Sequence, residues 1–356
     1  MEKYKPEAST EQKFNIESIN QLYAETINTF SEVFKSNGYI EHEPHKSLVS
    51  DVDHSVRFIG STTNVFKKYL KESEDKLPEN GYFLVQKCLR TRNTNTLFDD
   101  NVIPEWSSYF TAMGAMAPAD NLAKLSEATM KFLSELKIES NRIKINVSSK
   151  DADLVECLRK LKEKFEFTIA IDGVENQEYY RHKYGEENII GRNFNISIKN
   201  QKTHQYNDIG NIIIIEKENV PTAVEMGIGV GTLISKKFNL GTSIEASPIS
   251  KIIRYKPDLT AKFSDALSTS VVMLREKITP GSRDKARLLR TNLLALTYFK
   301  HKLEIEFEQI KKYIDDYEKD EFGEVTNISD QVMEYLIENE TKTPNTTYDF
   351  NWGKNN

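Results

Sequence analysis

Long apolar runs are missing from this chain of 356 residues. No stretch reaches the roughly 18–20 apolar residues that a bilayer crossing needs. No signal-peptide pattern precedes the first polar helix. A soluble, cytoplasmic protein without a membrane partner is therefore the expectation. Cysteine is scarce as well. Cys88 and Cys157 are the only two, which excludes a disulfide framework and a thiolate zinc cluster. Both sit in apolar-patterned segments and are expected as buried thiols. His182, His204 and His301 share no spacing that would hold a metal. An excess of positive charge is also absent: the formal net charge is −6. The overall field does not draw in nucleic acid, and only a local basic face could do so. There is no internal repeat, no Walker lysine loop and no G-x-S-x-G elbow.

What remains is ample for a core, with 38% hydrophobic and 10% aromatic residues. The length fits two ordinary domains, or one large domain with a helical appendage. Residues 1–12 are polar and expected to fray. Ile16, Ile19, Tyr23, Ile27, Phe30 and Phe34 recur at helical spacing, and Asn37-Gly38 supplies a stop. Phe83–Leu89 predicts a buried strand, 91–104 a long polar loop, and 106–116 a returning strand, which together make an antiparallel hairpin. Leu122, Leu125, Thr129, Phe132 and Leu136 mark a helix, and Leu154, Val155, Leu158, Leu161 and Phe165 another. Further strands are predicted at 142–148, 167–171, 194–198 and 211–215, the last an unbroken isoleucine run suited to full burial. Strands dominate the middle without regular βαβ alternation, so an α+β layout on a largely antiparallel sheet follows. From about Pro257 onward the pattern is helical, over 259–278, 282–317 and 332–337, and residues 341–356 are expected to be disordered.

Several residues invite a chemical reading beside a plainer one. Arg90 ends an apolar strand at a polar loop, where a guanidinium fork can hold phosphate or carboxylate or can be an ordinary surface arginine. Gly227, Gly229 and Gly231 fall at alternate positions where a strand passes into a helix. They either let a ligand approach the backbone or serve tight helix–sheet packing. Glu225 and Asp208 are acids near apolar strands, each a candidate seat for an ammonium or a solvated strand end. Arg283, Lys285, Arg287 and Arg290 line a helix that could meet phosphates or be a solvated face offset by Glu304–Glu308.

A resemblance sharpens these choices. Pro44-His-Lys-Ser-Leu-Val49 with Asp53, Arg57-Phe58 with Asn64-Val-Phe-Lys67, and Gln86-Lys-Cys-Leu-Arg90 resemble the opening of the alanyl-tRNA synthetase catalytic domain, a class II synthetase. Phe98-Asp-Asp-Asn-Val102, Tyr109-Phe110, Met113-Gly114, Asp208-Ile-Gly-Asn211 and Glu225-Met-Gly-Ile-Gly-Val-Gly-Thr232 resemble later segments of the same family. The resemblance covers roughly residues 12–300 and is strongest over 44–90. It implies a class II synthetase-like antiparallel sheet flanked by helices over 1–256, then a helical domain over 257–340 that resembles the tRNA-recognition region. It further implies ATP and Mg2+ as cofactors and a small amino acid as substrate, with Arg90 as the catalytic residue on the α-phosphate. Arg90, Asp100, Phe110, Gly229 and Thr232 would bind ATP. Asn211, Glu225, Gly227 and Met113 would bind the amino acid, with Glu225 on its ammonium. Arg287 and Arg290 would face tRNA.

Departures from the family pattern limit what carries over. Thr232 stands where the family holds the γ-phosphate with an arginine, and a neutral hydroxyl does not replace that fork. Thr111 and Asn195 stand at acidic positions. Gly210 stands at a tryptophan, which on the family pattern enlarges the amino-acid pocket. An enzyme would need a substitute cation, with Arg92, Arg192 and Arg254 as candidates. Two classes of function follow. One is an ATP-dependent enzyme that forms an aminoacyl adenylate and passes it to tRNA or another acceptor. The other is a non-catalytic paralogue that binds an amino acid, an aminoacyl group or a partner protein, with an ATP-independent aminoacyl transferase between them.

Overall fold

The computed structural model describes residues 14–50, 53, 55–71, 76–185, 188–254 and 259–340. The expectations for residues 1–12 and 341–356 fall outside them. Two compact units are present, one formed by residues up to 93 and 104–255, the other by 94–103 and 256 onward.

The first unit opens with helix α1 (Ile19–Ser36), whose apolar stripe buries Leu22, Tyr23, Phe30, Val33 and Phe34. Gly38 ends the turn at φ +85°, a conformation glycine adopts freely. Strand β1 (Ile40–Glu41) follows, then the short helices α2 (Thr62–Phe66) and α3 (Lys68–Lys71). Strands β2 (Tyr82–Leu89) and β3 (Tyr109–Pro118) form the expected antiparallel hairpin. Next come α4 (Leu122–Glu135), β4 (Ile143–Ser148), α5 (Ala152–Lys164), β5 (Thr168–Asp172), β6 (Arg181–Lys183), β7 (Ile189–Lys199), β8 (Tyr206–Lys217) and β9 (Val220–Gly229). Helices α6 (Val230–Lys237) and α7 (Ile249–Ile252) close the unit. The strands form one nine-stranded sheet in the order β1-β2-β3-β9-β8-β7-β4-β5, with β6 on β7. Pairing is parallel at β1–β2 and β4–β5 and antiparallel elsewhere. This is the α+β class that the sequence implies.

Because side chains alternate across a sheet, the two faces have separate jobs. One face, with Met113, Ala115, Met226, Ile228, Ile212 and Phe194, packs against α1, α4, α5 and α6 as the main core. The other is only partly covered. There Phe66 and Leu70, from α2 and α3, pack on Leu84, Met116, Ile213 and Ala223. Gly114 makes that seating possible, since a Cβ at this position would fall 2.0 Å from Thr62 Oγ1. Cys88 is fully buried, whereas Cys157 is only partly so.

Helices α8 (Leu259–Arg275), α9 (Asp284–Leu303), α10 (Phe307–Phe322) and α11 (Ile328–Glu340) make up the second unit. The single helix expected over 282–317 is two. The chain breaks at Glu304, which takes φ +53°, and Ile305 N–H bonds back to Lys300 O at 3.0 Å. Such a left-handed cap satisfies the last carbonyls of α9 before α10 begins. The loop of 94–103 is also not free. Lys262 Nζ donates to the carbonyls of Thr96 and Asp99, and Phe98 packs edge-on against Tyr298 at 5.4 Å.

A buried ion pair fixes α2 and α3. Lys67 Nζ meets Asp53 Oδ1 at 2.9 Å with both side chains out of water, at 4% and 0% exposure. Asn64 Nδ2 bonds Asp53 Oδ2 at 3.0 Å, and Ser55 Oγ donates to Oδ1 at 2.6 Å. Burial alone raises the Asp53 pKa, but the bonds from Ser55, Lys67 and Asn64 outweigh it and hold the value at about 2. Removing one partner of such a pair leaves an uncompensated charge. Lys67→Met should therefore lose about 3–5 kcal/mol in urea unfolding. In the wild type, the Asp53 contribution is complete above the ordinary carboxylate pKa of 3.8 and disappears as pH falls through about 2. Acid titration of the fluorescence-monitored unfolding free energy checks that window.

Candidate functional site

Arg90 follows the Leu89–Tyr109 pairing at one end of β3, and Glu225 pairs with Met116 toward the other. Phe110 pairs with Cys88, so both point to the face carrying Gln86, Ala112 and Gly114. Across β3, Gly114 pairs with Gly227 and Met116 with Glu225. Gln86 is fully buried and holds the segment resembling the family's opening motif. It accepts His45 N–H at 2.8 Å and donates to His45 O at 3.0 Å.

Arg90 keeps an accessible tip, although protein surrounds most of its length and that crowding pushes its pKa down. Its Nε donates to Gly60 O at 2.6 Å, and the guanidinium lies over the Phe110 ring, 5.2 Å from the centroid. Just beyond Gly60, α2 supplies the donors to Glu225. Thr63 Oγ1 donates to Glu225 Oε1, and Thr62 Oγ1 lies 3.5 Å from the same oxygen. One short segment, 60–63, therefore touches Arg90 at one end and Glu225 at the other. Asn64 shapes this corner by accepting the Gly60 and Ser61 N–H groups at 2.9 and 3.1 Å.

Glu225 is 2% exposed, and among the described residues no cation pairs with it. Its Oε2 has no hydrogen-bond partner. Burial raises its pKa from the ordinary 4.5 to about 7, with the two threonine bonds opposing. Asp208 differs. Burial pushes it up to about 6, but Ser197 donates to one oxygen at 2.6 Å and Tyr179 to the other. Of these two acids, Glu225 is the one left incomplete.

The three glycines of the turn separate by role. A Cβ on Gly227 would meet nothing within 4 Å, so the backbone there opens onto free space beside Glu225. At Gly229 a Cβ would lie 3.2 Å from Thr232 Oγ1 and 3.7 Å from Phe110 Cδ2, which places Thr232 and Phe110 at one rim. At Gly231, in α6, it would strike Tyr23 Oη of α1 at 2.6 Å, so that glycine serves helix–helix packing and not the helix–sheet packing expected. Asn211 pairs with Gly227 across β8 and lies 3.4 Å through Nδ2 from His182 Nε2.

Not every residue that the family motifs single out lies here. Met113 is fully buried in the main core on the opposite face, as strand alternation requires once Gly114 faces the site. Asp100 belongs to the second unit, where it takes Lys302 and Tyr298. Gly210 does not widen the site, because a Cβ there would press on Gly227 O at 2.2 Å and on Ile228. Its smallness admits the neighbouring strand. Arg192 is committed to Asp151, Asp153 and Glu216, and Arg254 reaches Glu17 at 3.5 Å. Among the proposed substitute cations, Arg92 remains, exposed two residues after Arg90. Among the described residues no group of His, Cys, Asp and Glu could hold a metal. No described helix is long and apolar enough to cross a membrane. Thr62 and Thr63 were not singled out by sequence reasoning, although the Ser61-to-Asn64 spacing marks a helix start.

The sequence matches no protein-family model and no curated protein. Solved structures similar to it include the histidyl-tRNA synthetase of S. aureus, at TM-score 0.41 and 11% identity over 65% of this chain and 71% of that one. The RNA binding domain of threonyl-tRNA synthetase from Cryptosporidium parvum aligns at 0.42 and 10%, over 62% and 64%. Asparaginyl-tRNA synthetase from Pyrococcus horikoshii, complexed with asparaginyl-adenylate, aligns at 0.38 and 10%, over 65% and 68%. The alanyl resemblance rests on the sequence motifs alone.

The raised Glu225 pKa has a measurable signature. A group whose folded pKa lies above its unfolded value stabilises fully below the latter and loses that effect as pH rises through the former. Ligand-free protein should therefore lose on the order of 3 kcal/mol of Glu225-dependent stability between pH 4.5 and about 7. Glu225→Gln should flatten that part of the denaturation profile.

Proposed function

We propose that this site activates an α-amino acid as its adenylate at the expense of ATP. The observation that carries the reading is the buried, half-satisfied Glu225 carboxylate beside an open glycine backbone, with Arg90 on the same sheet face. An ammonium is the ligand group that such a carboxylate lacks. It would supply both the missing donor and the countercharge, and would hold Glu225 ionised. Arg90, steadied by Gly60 O and Phe110, would take the α-phosphate. The amino-acid carboxylate would then attack the α-phosphorus while the bond to the β-phosphate breaks and pyrophosphate leaves. Positioning and charge stabilisation would supply most of the rate. Mg2+ would ride on the phosphates. A small amino acid, with tRNA or another acceptor receiving the acyl group, completes the reading.

One observation favours a second reading, a binding paralogue or an aminoacyl transferase that uses no ATP. Thr232 offers a hydroxyl where a phosphate cation belongs, while Arg192 is engaged elsewhere.

Amino-acid-dependent exchange of pyrophosphate into ATP separates the two. The first reading expects exchange that Arg90→Ala lowers at least about 100-fold. No exchange with any of the twenty amino acids, together with no ATP binding by calorimetry, would sink it. Amino-acid affinity should rise with pH up to about 7 and then level off, because protonated Glu225 cannot pair with the ammonium. A flat profile in the wild type would count against the Glu225 seat. Arg287 and Arg290 are exposed on α9. If tRNA is the acceptor, binding should weaken with salt, and Arg287→Glu with Arg290→Glu should weaken it further and reduce the salt slope. Unchanged binding in the double variant would point to another acceptor.

A further inference from the structure

Glu225 is not the only incomplete polar group on its face of the sheet. Asn193 is fully buried, and its Oδ1 has no hydrogen-bond partner. The buried Tyr184 hydroxyl also has none. Buried polar atoms are nearly always paired, so three unpaired ones within one neighbourhood call for an explanation.

Register places them together. Asn193 on β7 pairs with Ile213 on β8, and Ile213 pairs with Glu225 on β9. All three residues therefore share one face in a single row. Strand spacing puts the Asn193 and Glu225 backbones about 10 Å apart, with the buried Ile213 side chain on the same face between them. Asn211 lies in the adjacent row, next to Gly227 and its open space. Tyr184 arrives from just beyond β6. A Cβ on Gly191 would stand 3.1 Å from its ring and 2.7 Å from Ile213 Cγ2, so the ring covers this end of the row. The Glu225 charge is near enough to raise the Tyr184 pKa, after burial as the larger cause.

Besides Glu225, the Lys67–Asp53 pair lies close by, since a Cβ on Gly185 would stand 3.9 Å from Lys67 Nζ, but that pair is closed on itself. Burial lowers the His182 pKa, with Asn193 partly opposing. A neutral imidazole can accept from Asn211 Nδ2 at Nε2. Asn193 Nδ2 is already donated to Asn195 Oδ1 at 2.9 Å, so the Oδ1 edge, which lies toward the His182 ring, is the one with capacity left. With Glu225 spent on the ammonium, the neighbouring wall offers an acceptor at Asn193 and a hydroxyl at Tyr184. A methyl side chain would leave both unmet. A charged side chain would find no counter-ion there among the described residues.

Resting on the amino-acid reading above, we infer that the substrate carries a neutral, hydrogen-bonding side chain, a hydroxyl or carboxamide, seated against Asn193, Tyr184 and Asn211. The alanyl motifs of the sequence then mark ancestry of the scaffold and not the present side-chain preference.

Calorimetry on the full chain tests this without depending on turnover. Serine, threonine, asparagine and glutamine are titrated beside alanine, 2-aminobutyrate, leucine and aspartate. At least one of the first four should bind about 100-fold or more tightly than its apolar counterpart, because a site with committed polar groups rejects the analogue that leaves them unpaired. Tyr184→Phe, which keeps the ring over Gly191, and Asn193→Leu should each shrink that ratio by about tenfold. Equal or tighter binding of alanine or 2-aminobutyrate would overturn the inference while leaving the amino-acid site standing. Polar preference without pyrophosphate exchange would support the inference and remove only the ATP step. Failure of every amino acid to bind would overturn both.

Discussion

The ion pair between Asp53 and Lys67, sealed from water, is the constraint on which the site's geometry depends. Asn64 is common to two bonding sets. Through Nδ2 it joins the Asp53 network, and through Oδ1 it caps the Gly60 and Ser61 amides. The short helix α2 has too few residues to be stable by itself. It persists because the ion pair anchors its far end and Thr62 nests on Gly114 at the near end. That seating aims the Gly60 carbonyl at Arg90 and the Thr63 hydroxyl at Glu225. A charge-compensated interior on one side of α2 thus holds an uncompensated carboxylate in place on the other.

The two sheet faces divide stability from function. The core face is sealed by four helices and carries Met113, Met226 and their neighbours. The open face carries glycine at 114, 227 and 229 in adjoining strands, where side chains would otherwise fill the space. A Cβ at Gly227 would meet no atom of the described residues within 4 Å, so the space next to the backbone does not demand glycine there. The free surface above it makes sense as room for something else.

Much of this architecture was legible in the sequence, for physical reasons that also mark the limits. The β2–β3 hairpin and the passage from β9 into α6 could be read because apolar runs end at polar or glycine-rich punctuation. The isoleucine run of β8 announced its own burial. Helix α2 could not be read from periodicity, being barely one turn long. The break at Glu304 was hidden because the polar and apolar spacing continues across it and only the backbone departs. Motif matching grouped Met113 with Phe110, yet residues an odd number apart along a strand face opposite sides. Tyr184, His182 and Asn193 meet Asn211 and Glu225 only through the registers of β6, β7, β8 and β9. No local pattern encodes such a meeting.

The residues between the hairpin strands have a topological effect. Since 94–103 builds into the helical unit, the backbone passes between the two units at three places, near 93, 103 and 255. Neither unit is a contiguous piece of chain. A protein cut after 255 would keep Leu97 and Thr94 without the helices that bury them, and Asp99 without Lys262. The helical unit made alone would lack its own first ten residues. Separating the helical portion from the rest therefore means replacing residues 94–103 as well as ending the chain near 255.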